Sequence, residues 1–140
     1  MYIRSIHIIH PKMYIIYRCS DKGNPKDKPE WIGLTACLRN FLTQVRSTDT
    51  FEIWCDNCED ATAERIHALL DELCPAKYFI RRTSLGNSGS FRAVLRELDA
   101  RDAEDIYLVE DDYWHLPGAL DILREALAHE SARSTTFYTL

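Results

Sequence analysis

The chain has no long hydrophobic run. None of its 140 residues belongs to an apolar stretch near the roughly 18–20 residues that a membrane-crossing helix needs, so no transmembrane segment is expected. It has no basic excess either. Seventeen Lys and Arg stand against 22 Asp and Glu, a net charge of −5. That argues against a nucleic-acid binder working through a broad basic surface. The opening residues are too few and too broken, by Arg4 and His7, to read as a signal peptide. A disulfide framework is also missing. Cys19, Cys37, Cys55, Cys58 and Cys74 are odd in number and dispersed through the predicted elements. Free thiols in a cytoplasmic protein are the expectation.

A composition of 46% hydrophobic and 28% charged residues suits one soluble globular domain with a real core. Residues 1–12 read as a leader or an extra strand, and Met13 is a possible alternative start. Residues 13–140 read as the domain. Apolar runs at 13–17, 51–54, 77–80 and 106–109 suit buried strands. Between them, apolar side chains recur at helical spacing. Trp31, Leu34, Leu38, Phe41, Leu42 and Val45 mark a helix over about 30–46. Ile66, Leu69, Leu70 and Leu73 mark a second, which Pro75 stops. Phe91, Val94, Leu95 and Leu98 mark a third. Leu120, Leu123 and Leu127 mark a fourth, with Pro117 suited to its first turn. Residues 135–140 suggest a fifth strand at which the chain stops, as if truncated.

Strict alternation of strand and helix predicts an α/β, Rossmann-like αβα fold. Its sheet should be mostly parallel, with right-handed crossovers and helices on both faces. In the usual order 3-2-1-4, strands 1 and 4 are neighbours at the topological switch point, where ligands bind beyond the strands' carboxyl ends.

The fourth strand ends in three consecutive acids, Glu110, Asp111 and Asp112. Burying an unpaired carboxylate costs several kcal/mol, so such a cluster needs a cation, hydrogen bonds, protons or open solvent. In an extended chain Glu110 and Asp112 share a face, with Cα atoms roughly 6–7 Å apart, and Asp111 faces away. That spacing suits convergence on one hard divalent cation, Mn²⁺ or Mg²⁺. A solvated acidic loop is the plain alternative. Ser20 and Asp21 follow strand 1, Asp56 ends strand 2, and the turn 84–90 opens at the same edge. Gly86 and Gly89 allow close backbone approach, and the helix that follows favours anions at its start. Asp21 and Asp56 can accept hydrogen bonds from a ribose or a base. These parts describe a site for a metal and a nucleoside diphosphate.

The motifs resemble those of GT-A-fold, family-2-like glycosyltransferases. Val-Glu-Asp-Asp-Tyr at 109–113 resembles their DXD-type metal motif. Gly86-Asn87-Ser88-Gly89-Ser90 resembles their Gly-Asn-x-Gly segment, and 114–118 the segment after the metal motif. The resemblance covers about residues 13–140. It implies a metal-dependent enzyme that moves a sugar from a nucleoside-diphosphate sugar to an acceptor hydroxyl. Glu110 and Asp112 would hold the metal. Ser20, Asp21, Asp56, Gly86, Asn87, Gly89 and Asp111 would line the nucleotide-sugar pocket. The family places its acceptor site, and the base of inverting members, after a fifth strand, so no catalytic base is assigned here. Two departures stand out. Asp56-Asn57-Cys58 replaces the usual Asp-Gly-Ser turn, and Val94 and Leu95 occupy the region where the third helix often carries an Asn. Two other readings stay open: a non-catalytic donor-binding fragment, or an unrelated Rossmann-like domain that binds metal and phosphate.

Several residues have plainer explanations. Arg81 and Arg82 follow strand 3 and read chiefly as surface arginines. Cys55 and Cys58 have redox-pair spacing, but the next helix begins too late, near Asp60, and no second Cys/His pair completes a zinc site. His115 is a possible third metal ligand or hydrogen-bond donor.

Overall fold

In the computed structural model, which describes residues 12–22, 27–101 and 105–129, four strands alternate with four helices. They are β1 (Tyr14–Cys19), α1 (Leu34–Leu42), β2 (Thr50–Asp56), α2 (Asp60–Leu73), β3 (Lys77–Thr83), α3 (Gly86–Asp99), β4 (Ile106–Glu110) and α4 (Ala119–Ala128). All strand pairings are parallel and the order is β3-β2-β1-β4. This is the Rossmann-like three-layer α/β arrangement that the alternation predicts. The leader 1–11 and the expected strand at 135–140 lie outside the described residues. Among the described residues no helix is long and apolar enough to cross a membrane.

Side-chain alternation along the strands sorts the core into two layers. Ile15, Tyr17, Phe51, Ile53 and Val109 pack with Leu38 and Phe41 of α1, Ile66 and Leu70 of α2, and Leu120 of α4. The opposite face carries Ile16 and Trp54 against Val94 of α3, with Ile106 and Leu108 alongside. Returning from β3 to β4 by a right-handed crossover requires α3 to lie on the face opposite α1 and α2. That crossover opens the crevice between β1 and β4.

Element ends differ from the sequence pattern where side-chain partners decide. β1 continues two residues past its apolar run, where Arg18 pairs across the sheet with the half-buried Glu110 and the Cys19 thiol with the buried Trp54 carbonyl. α1 is shorter than the apolar periodicity, starting after the extended Gly33. α3 begins at Gly86, earlier than its first apolar residue Phe91. Gly86 has φ of 75°, a conformation that a β-carbon disfavours.

The layer of α1 and α4 is tied by an ion pair that no local pattern announces. Arg124 and Asp49 have side chains with no solvent exposure, and two N···O contacts of 2.7 Å join them. Asp49 also accepts from the amides of Met13 (3.0 Å) and Arg46 (2.8 Å). One carboxylate therefore links the entry to β1, the turn before β2 and helix α4. Burial raises its pKa. The Arg124 hydrogen bonds and the two amides outweigh that and hold the carboxyl below its usual range.

Candidate functional site at the switch point of the sheet

The carboxyl ends of β1 and β4 flank a cavity of about 700 Å³. Its walls include Ser20 and Asp21 after β1, Asp56 at the end of β2, Gly86, Asn87, Ser88 and Ser90 at the start of α3, and Glu110, Asp111 and Asp112 at the end of β4. Of the residues predicted for the site, Gly89 alone does not line the cavity. A β-carbon there would come 3.0 Å from that of Leu85, so Gly89 serves the tight first turn of α3.

The three acids do not alternate as an extended strand would require. β4 ends at Glu110, and Asp111 and Asp112 occupy the following turn, so all three face the cavity. Asp111 accepts a hydrogen bond from the Ser20 amide at 3.0 Å, which pins the end of β1 to the end of β4. Glu110 pairs with Arg18 at 2.6 Å. Arg18 also donates to the backbone carbonyl and the side-chain oxygen of Asn87, both at 3.0 Å, and lies 5.2 Å from the Phe91 ring centre. It thereby joins β1, β4 and the first turn of α3 across the floor of the cavity. Burial pushes the Glu110 carboxyl up, against the opposing pull of Arg18. Burial pushes Asp111 up as well, opposed by the Ser20 amide and assisted by the Asp112 charge.

Asp21 and Asp56 hold the scaffold of the rim. Asp21 reaches the start of α2, accepting from the Glu59 amide at 2.7 Å and the Thr62 hydroxyl at 2.9 Å. It is an N-cap supplied from another strand end, since Glu59 makes no side-chain cap of its own. Asp56 is buried and accepts from Thr83 Oγ1 (2.8 Å), the Leu85 amide (2.7 Å) and Asn57 Nδ2 (3.2 Å). Both carboxylates shape the loops around the cavity, and any contact with a bound nucleoside would use their remaining acceptor capacity.

Five carboxylates and three cationic side chains, Arg18, Lys22 and Lys28, line the cavity. An anion entering alone would meet an excess of negative charge, whereas a divalent cation brings the lining close to neutral. Asp111 and Asp112 offer hard oxygen donors suited to such a cation, while Glu110 is tied to Arg18.

The remaining candidates fall away from the cavity. His115 is buried against Phe41, shares a 2.9 Å hydrogen bond with the Tyr107 hydroxyl, and has its pKa lowered by burial. Its backbone is locked to the Asn40 side chain. Arg81 pairs with Glu52 and Glu97 and lies 4.4 Å from the Trp54 ring centre. Arg82 pairs with Asp60 and donates to the Cys58 carbonyl.

Two features escaped the sequence reading. Arg18 is the first. Its signal was available once the strand order was predicted, because the register sets Arg18 beside Glu110. The second is a thiol cluster of Cys19, Cys55 and Cys58, all buried. The Cys55–Cys58 spacing is visible in sequence, but Cys19 joins it only through the pairing of β1 with β2.

The chain matches no protein-family model, no curated protein and no solved structure. Its fold and its carboxylate-lined crevice therefore define the class: a parallel three-layer α/β domain with a polar cavity at the switch point of the sheet.

Proposed function

We propose that this domain binds a nucleoside-diphosphate sugar together with Mn²⁺ or Mg²⁺ and serves as the donor-binding part of a glycosyltransferase. One observation carries the proposal. The three acids at the end of β4, the polar loop after β1 and the start of α3 line a single cavity of about 700 Å³, a size typical of small-ligand sites. Its excess of carboxylates calls for a cation, and its glycine-containing helix start suits an anion. A metal-bound diphosphate answers both.

Asp112, with Asp111 beside it, would hold the metal, and Glu110 would act through Arg18 by keeping that guanidinium on the cavity floor. When bound, the metal supplies positive charge to the departing diphosphate. Gly86, Asn87 and Ser88 at the start of α3 line the same cavity, and their amides would be available to that developing charge. Ser20, Asp21 and Asp56 line the same cavity and would border the nucleoside. In the reaction an acceptor hydroxyl displaces the nucleoside diphosphate from the anomeric carbon of the sugar.

Calorimetric titration with a panel of nucleotide-sugars, with and without Mn²⁺, tests this. One donor should bind only with the metal, and Asp112→Asn should abolish that binding while the far-ultraviolet spectrum stays unchanged. Equal binding without metal, or no binding of any donor, refutes the proposal.

A further inference from the structure

We propose that Cys19, Cys55 and Cys58 form a binding site for one thiophilic d¹⁰ cation, Zn²⁺ or its softer congener Cd²⁺. The site is separate from the carboxylates that line the cavity. The three sulfurs come from the end of β1, the end of β2 and the loop leading to α2, and all lie within 4.8 Å of one another. Among the described residues no other set of three or more Cys, His, Asp or Glu side chains gathers in this way.

The spacing is close to what a metal requires. A tetrahedral zinc with bonds near 2.3 Å sets its sulfurs about 3.8 Å apart. Cys19 and Cys55 already stand 3.6 Å apart, so closure needs at most about an ångström of movement by the third sulfur. An all-sulfur set selects soft or borderline ions over Mg²⁺ and Mn²⁺, which seek oxygen.

The surroundings suit the negative charge of a metal–thiolate centre. Cys58 lies two residues before the first residue of the 14-residue helix α2, whose positive end favours thiolate. Arg82 sits against the same loop through its 2.7 Å bond to the Cys58 carbonyl. Cys19 also lines the cavity, which provides a path of entry and water for a fourth ligand. Zinc with three protein ligands and one open position is a familiar coordination class. Binding replaces thiol protons, which leave to solvent.

Cys37 and Cys74 provide internal contrast. Both are free thiols that belong to no such cluster. The chain should be stripped with chelator, kept reduced with a phosphine, and titrated with Cd²⁺ in the absence of nucleotide. A thiolate-to-cadmium charge-transfer band should rise and saturate at one ion per chain, and Zn²⁺ should displace it. X-ray absorption on the zinc form should show three sulfurs at about 2.3 Å. Cys58→Ala should weaken binding by more than about tenfold, and Cys74→Ser should leave it unchanged. No saturable band from the reduced chain overturns the proposal, as does a zinc shell without three sulfurs or equal affinity in Cys58→Ala. The absorption measurement uses the native chain, so it decides the matter even where the alanine variant fails to fold.

Discussion

The buried Asp49–Arg124 pair gives the sharpest test of how this fold is held. Replacing Asp49 by Ala strips the Arg124 guanidinium of both its 2.7 Å carboxylate contacts at a position with no solvent exposure, and the Asp121 carboxylate remains 3.9 Å from its Nε. Breaking a buried pair from one side costs about 3–5 kcal/mol. The amides of Met13 and Arg46 lose their acceptor at the same time. Against a total stability of about 5–15 kcal/mol, that is a large fraction. Urea unfolding followed by circular dichroism reads it as a shift in midpoint at constant slope. The double replacement Asp49→Ala with Arg124→Leu removes both buried charges, so the part of the loss that comes from the broken charge pair should return, while the cost of the two amides without their acceptor stays. The pH dependence has a definite sign. Asp49 titrates below its usual value in the folded chain, so its stabilisation is present above the unfolded value of about 3.9 and is lost as pH falls through the folded value. The gap between native and Asp49→Ala chains should therefore be full at neutral pH and narrow below about pH 4. A single-variant cost under about 1 kcal/mol, as for a surface pair, would refute the reasoning. So would a double variant as unstable as the single.

Two further outcomes concern the walls of the cavity and the core behind them. Gly86→Ala places a β-carbon at φ of 75° and should cost about 1–2 kcal/mol in urea unfolding, even though nothing lies within 4 Å of that carbon; an unchanged midpoint would show that the turn relaxes freely. The Tyr17 hydroxyl is buried without a hydrogen-bond partner among the described residues, so Tyr17→Phe should be neutral or stabilising by up to about 1–2 kcal/mol, and a loss of that size would reveal a partner for the hydroxyl.

Much of the architecture is legible in the residues because burial imposes its own period on each element. Apolar runs at 51–54, 77–80 and 106–109 fall within strands of the sheet, and the run at 13–17 begins one residue before β1. Alternation and handedness predict a parallel sheet with right-handed crossovers, and the usual order 3-2-1-4 assumed for it is the order β3-β2-β1-β4 that the structure shows. The gathering of Ser20, Asp21, Asp56, Gly86, Asn87 and the three acids at one cavity follows from that order. Pairings of side chains distant in sequence were not legible. Arg124 hides in the leucine stripe of α4, and its partner lies 75 residues earlier in a turn. Asp21 and Asp56 are read locally as acids at strand ends, but their oxygens serve the N-terminus of α2 and the entry to α3. The alternation argument for Glu110 and Asp112 failed for a local reason, since the strand stops at Glu110 and the next two acids turn with the chain.

Arg18 explains why three adjacent acids are tolerated at a half-buried strand end. Its guanidinium neutralises Glu110, and the Ser20 amide supplies a hydrogen bond to Asp111, so each of these carboxylates has an identified partner. The same guanidinium holds Asn87 and hence the start of α3. A cation arriving at Asp111 and Asp112 would therefore meet a rim already braced on three sides, and little reorganisation would be needed to receive it. Behind the β1 side of that rim, Cys19 directs a sulfur toward Cys55 and Cys58. Hard oxygens and soft sulfurs thus occupy neighbouring positions on the same strand ends. Selectivity by ligand chemistry would let them take different ions without competition.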